Sequence, residues 1–111
     1  MKKCGKHYKE SLMEQIDILL EKIEKQYGVY IGKKSLSRLS TFLSGYECAL
    51  EDLTGSRPYF NARFQTFIEK KEGKEFCTEH WSVILSEGRS DEDAFDKFFH
   101  YWTEMRQSEI Q

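Results

Sequence analysis

The amino-acid sequence predicts an all-α fold, a single-domain bundle of about five helices joined by short connecting turns. Three observations carry this expectation. Apolar residues recur at three- and four-residue steps in one segment after another, the period of a helix buried along one side. Pro58 is the only proline in 111 residues, so little interrupts long helices. Short β-like runs are nearly absent. A chain of this length makes one domain, residues 1–111. At that size folding buries about two-thirds of the unfolded chain's surface, enough for a core without disulfides or metal.

The first helix is expected from about Lys9 to Gln26, with residues 1–8 a frayed N-terminus. Its stripe is Leu12, Ile16, Leu19, Leu20, Ile23 and Tyr27, and Gly28 is the expected stop. Ser35 reads as the N-cap of a second helix through about Leu53, buried along Leu36, Leu39, Phe42, Leu43, Tyr46, Leu50 and Leu53. Gly45 lies inside that helix, where glycine costs about 1 kcal/mol relative to alanine. Close approach of another element is the expected compensation.

Thr54-Gly55-Ser56-Arg57-Pro58 is the strongest break. A third helix follows with Phe60, Phe64, Phe67 and Ile68 on its apolar side, then a solvated turn at Lys70–Lys74. A short fourth helix around Thr78 to Ser86 carries Trp81, Val83, Ile84 and Leu85. Gly88 breaks it, and Ser90 with Asp93 forms a capping-box pattern in which Asp replaces Glu. The last helix holds Ala94, Phe95, Phe98, Phe99, Trp102 and Met105 on one side.

Several candidate chemistries fail on spacing. Gly28-Val-Tyr-Ile-Gly32-Lys33-Lys34-Ser35 resembles a phosphate-binding loop, but a Walker loop needs four residues between its glycines and a preceding strand. There is no nucleophile elbow of the Gly-x-Ser-x-Gly type. Paired carboxylates are plentiful, yet none stands in a catalytic context. No enzyme activity and no cofactor are expected. Two Cys-x-x-His pairs, Cys4/His7 and Cys77/His80, have spacing compatible with tetrahedral zinc, but nothing in the sequence brings them together. A small zinc-stabilised helical domain is therefore an alternative, and no metal site is assigned.

Met1-Lys2-Lys3-Cys4 is followed by no apolar run, and no segment approaches membrane-spanning length, so a cytoplasmic protein is expected. Three cysteines without close pairing fit reduced thiols. Charge is polarised along the chain: residues 1–40 hold nine basic and five acidic groups, and residues 69–111 hold six and eleven. The net charge of −2 argues against general nucleic-acid binding. Five acids, Glu87, Asp91, Glu92, Asp93 and Asp96, fall within ten residues. Helix capping accounts for two or three of them. The remainder make a candidate patch for a basic partner, which Glu47 and Glu51, taken as exposed positions of the second helix, would enlarge.

The segments "VYIGKKSLSRLSTFLSGYECAL" (29–50), "WSVIL" (81–85) and "AFDKFFHYW" (94–102) together resemble the small helical immunity proteins of bacterial polymorphic toxin and contact-dependent growth inhibition loci. The likeness spans residues 28–102, with Tyr30, Gly32, Gly45, Tyr46, Trp81, Phe95, Phe98 and Phe99 as framework. It departs where the family often carries Pro-Gly-Met before Tyr-Ile-Gly, since Gln26-Tyr27-Gly28-Val29 stands there. The resemblance implies a protein that binds the C-terminal domain of a cognate toxin and neutralises it. Many such toxins are nucleases with basic clefts, so a ribonuclease occluded by the acidic patch is the expectation. A regulatory or scaffold helical interaction domain is the other alternative.

Overall fold

The structure is a computed structural model and describes residues 4–75 and 78–110, with side chains described over 15–75 and 78–109. Among the described residues six helices follow in order: α1 (Cys4–Lys25), α2 (Tyr27–Tyr30), α3 (Leu36–Thr54), α4 (Phe60–Lys71), α5 (Trp81–Ser86) and α6 (Asp91–Ile110). No strand occurs among the described residues. The all-α single domain matches the sequence reading. The sixth helix is a single turn, α2, inside what was expected to be a bare joint. α1 starts at Cys4, ahead of the expected Lys9, so of the residues expected to fray only 1–3 lie outside the described residues.

The apolar stripes converge on one core. From α1 it takes Ile16, Leu20 and Ile23, and from α3 Leu36, Leu39 and Leu43. Phe60, Phe64 and Ile68 of α4 meet Trp81, Ile84 and Leu85 of α5. α6 gives every apolar residue expected of it, together with Tyr101. At the centre the rings of Phe64 and Phe98 lie 4.8 Å apart, and Trp81 sits 5.2 Å from each. Edge-to-face and tilted arrangements of this kind add about 0.5–1.5 kcal/mol per pair beyond area burial.

Ion pairs orient the helices around that core. Arg63 near the start of α4 pairs with Glu109 near the end of α6, and Lys71 at the end of α4 lies 3.2 Å from Glu104. The two helices therefore run antiparallel. Asp17 of α1 accepts from the Trp102 indole at 3.3 Å, and Glu21 meets Arg106 at 3.1 Å, which docks α1 on α6. Burial pushes the Asp17 carboxyl above its ordinary pKa.

The joint between α1 and α3 corrects one detail of the sequence reading. Gly28 is not the stop: α1 ends at Lys25 and Gly28 sits within the α2 turn. The left-handed position is Gly32, with φ of 90°, a region that side chains with a Cβ avoid. Arg38 locks this bend by donating from Nη1 to the Ile31 carbonyl at 3.0 Å. Ile31 enters the core, and Tyr27 packs edge-on to Phe95. Ser35 caps α3 as expected, its Oγ accepting from the Arg38 N–H at 3.1 Å. At the other end of α3, Gly55 (φ 77°) makes a left-handed cap. Leu53, expected in the stripe, is 83% exposed. Gly45 has open space where a Cβ would stand, so no neighbouring element explains it.

Candidate partner-binding surface

The acidic cluster is built on the first two turns of α6. Ser90 starts this helix: its Oγ accepts from the Asp93 N–H at 3.0 Å and its carbonyl from the Ala94 N–H at 2.8 Å. Asp91, Glu92 and Asp93 occupy the first turn, where negative charge offsets the positive end of the helix dipole. The four-residue period then carries the exposed face from Glu92 through Asp96 and His100 to Glu104.

The five acids separate into distinct tasks. Asp91 turns toward α3 and is occupied there. It accepts from the Ser35 hydroxyl, from the Ser37 N–H at 3.0 Å and from the Ser37 hydroxyl at 3.2 Å. The Ser35 bond leads in holding its carboxyl below the ordinary carboxylate range. Glu87 pairs with Lys74 at 2.9 Å and Asp96 with Lys34 at 3.4 Å. Glu92 and Asp93 are exposed and make no ion pair among the described residues.

Asp96 also lines a groove of about 590 Å³ between α1 and α6, together with Glu24, Lys34, Phe95, Phe99 and His100. Glu104 lies further along the same groove and is held by Lys71, with His100 at 3.5 Å. Glu24 and Glu104 thus extend the acidic surface, although the sequence reading did not select them. The four-residue spacing from Asp96 signals Glu104, but only the docking of α1 places Glu24 opposite.

Glu47 and Glu51 do not join this surface. Asp91 sits at the start of α3, and Glu47 lies ten residues beyond Ser37, about 15 Å along the helix at 1.5 Å per residue. Glu51 is tied to Arg57 at 2.6 Å, at the corner leading into α4. Glu47, expected to be exposed, is only 2% exposed. Its Oε1 accepts from Asn61 Nδ2 at 2.6 Å, while Oε2 is buried with no hydrogen-bond donor among the described residues. Burial pushes its pKa up to about 7, with Arg57 pulling the other way. The physical reason for the correction is position: Glu47 lies four residues after buried Leu43, on the stripe itself.

No group of three or more potential metal ligands is assembled among the described residues. Cys77 lies outside the described residues, as do the side chains of Cys4 and His7. His80 has a local task, its ring Nδ1 accepting from the Ser82 N–H at 3.1 Å to cap α5. No helix among the described residues is long and apolar enough to cross a membrane. No family model matches the chain, and neither a curated protein nor a solved structure shows significant similarity to it.

Proposed function

We propose that this chain is an immunity protein that binds the C-terminal domain of a cognate bacterial toxin, a basic nuclease of ribonuclease type, and covers its active cleft without doing chemistry. The observation that carries the reading is the acidic face of α6, where Glu92 and Asp93 are exposed and make no ion pair among the described residues, beside the groove lined by Asp96, Glu24 and Glu104. A nuclease cleft is basic because its substrate is anionic. A rigid acidic helix face opposes it in charge, speeds encounter and competes with the nucleic acid. The sequence resemblance supports the same reading and supplies the partner class. The contact set is revised to Glu92, Asp93 and Asp96, with Glu87, Glu24 and Glu104 around them. Asp91, Glu47 and Glu51 are assigned to the fold.

The test is capture of the neighbouring gene's product by this protein, followed by protection of cells that express the toxin domain. Failure of both removes the reading. A helical interaction domain of another kind is the second reading. It is favoured by the hollow that Ile18, Leu19, Tyr30 and Tyr46 line between α1, α2 and α3, where Ile18 is 51% exposed.

A further inference from the structure

The corner where α3, α4 and α5 meet holds a polar chain that the acidic face does not use. Trp81 of α5 donates its indole N–H to Asn61 Oδ1 at 2.8 Å, and Asn61 Nδ2 donates to Glu47 Oε1 at 2.6 Å. An indole nitrogen can only donate. That fixes the Asn61 amide with its oxygen toward Trp81 and its NH₂ toward Glu47. Among the described residues the carboxyl therefore receives one donor on Oε1 and none on Oε2, in a residue that is only 2% exposed.

We infer that Glu47 is a proton-linked switch in the fold: the closed α3–α4–α5 corner holds a proton on Glu47 Oε2, and loss of that proton loosens the corner and the attachment of Trp81. A buried carboxylate retains its charge when two or three donors solvate it, and here one does. The charged groups facing it are few. Arg57, in the turn between α3 and α4, attracts the charge but is itself bound by Glu51 at 2.6 Å. Cys48 and Glu51 lie on the same helix, near Arg57. α4 presents the neutral Asn61 and α5 presents Trp81, with the His80 ring tilted against the indole at 4.7 Å. The Phe98 ring of α6 packs against Trp81 at 5.2 Å. Once ionised, Oε2 finds water or Arg57 only by moving outward, and the chain through Asn61 transmits that movement to α5.

The geometry makes the proton's location and its consequence measurable in the intact protein. Carboxyl ¹³C NMR of the wild type should show one glutamate titrating near neutrality. The Trp81 indole N–H resonance, assigned against W102F, should move over the same pH range. In E47Q the neutral amide mimics the protonated acid, so both signals should be lost. His80, whose burial lowers its pKa, should still perturb the indole on the acid side. The wild-type urea midpoint should fall between pH 5 and pH 8.5 relative to that of E47Q. The proposal is overturned if every glutamate carboxyl titrates below about pH 5.5, the normal carboxylate range, or if the neutral-range movement of the indole persists in E47Q. Should E47Q not fold, the wild-type carboxyl titration decides alone.

Discussion

The carboxylate of Asp91, at the start of α6, accepts the Ser35 hydroxyl at the N-cap of α3, and Ser35 in turn accepts the Arg38 N–H. One anion thus stands between two helix N-termini that would otherwise present their positive ends to each other. Ser35 is buried, and Asp91 supplies the acceptor that its hydroxyl hydrogen requires. This contact, 56 residues apart in sequence, couples the cap of one helix to the first turn of another.

Asp91→Asn should therefore lower stability by about 1 kcal/mol, less than a buried charge-assisted hydrogen bond contributes, because the Asp91 side is solvent-exposed. The folded pKa of Asp91 lies below the unfolded value near 3.8. The unfolded state then binds more protons in acid, and stability rises with pH through that region. This contribution is present above about pH 4 and is lost as pH falls through the folded pKa. Denaturant melts of wild type and Asp91→Asn should differ at pH 7 and draw together as pH falls below the ordinary carboxylate range.

The glycines of the α1–α3 joint give opposite expectations. At Gly32, φ is 90° and an added Cβ would stand 2.7 Å from Arg38 Nη1, the group that holds the Ile31 carbonyl. Gly32→Ala should cost about 1–2 kcal/mol. At Gly28 and Gly45 an added Cβ meets nothing within 4 Å and both residues lie in helical segments. Alanine at Gly45, in the interior of α3, should stabilise by about 0.5–1 kcal/mol, and at Gly28 by less because α2 is one turn. Thermal melts of the three variants check the ordering, and an unharmed Gly32→Ala would contradict the role given to the left-handed bend.

Most of the fold was legible because packing followed period. The α6 stripe and the Phe60–Phe64–Ile68 stripe of α4 lie where three- and four-residue spacing put them. Ser35 and Ser90 cap as their residue types imply. Glu47 shows what was lost when residue type was weighed above period. It continues the line of Leu39 and Leu43 at four-residue steps, so spacing alone placed it inside. Leu53 errs the other way: six residues after Glu47 it has rotated off the buried stripe, and it stands exposed in the last turn of α3. For the acidic face the sequence showed density of charge, not partners. Whether Asp91 bonds to α3, or Asp96 faces α1 across a groove, depends on helix docking that no local pattern encodes.

Asn61 is the residue on which the α3–α4–α5 corner depends most directly. It serves as donor to Glu47 and acceptor for Trp81 at once. Asn61→Ala leaves both partners buried without their hydrogen bonds. Each orphaned group costs about 1–3 kcal/mol, so the variant should lose about 2–6 kcal/mol, more at pH 8.5 than at pH 5. Equilibrium urea unfolding at the two pH values measures this. Asn61→Ala in the E47Q background should lose its pH dependence, while a loss under 1 kcal/mol would show the chain to be replaceable by water.

The acidic face makes a prediction about rate. Glu92 and Asp93 are exposed and make no ion pair among the described residues, so reversing them removes attraction for a basic cleft while leaving the core in place. Rim charges act mainly on association and its salt dependence. Glu92→Lys combined with Asp93→Lys should slow association with the toxin domain about tenfold or more at low ionic strength. The difference should shrink as salt approaches ~1 M, where the screening length falls to about 3 Å. Glu51→Lys changes charge by the same sign at the α3–α4 corner, away from α6, and should leave the rate nearly unchanged. Stopped-flow mixing across a salt series separates the two surfaces. If Glu51→Lys slows binding more than the α6 pair does, the partner docks on the α3–α4 corner, and the assignment of the acidic face fails.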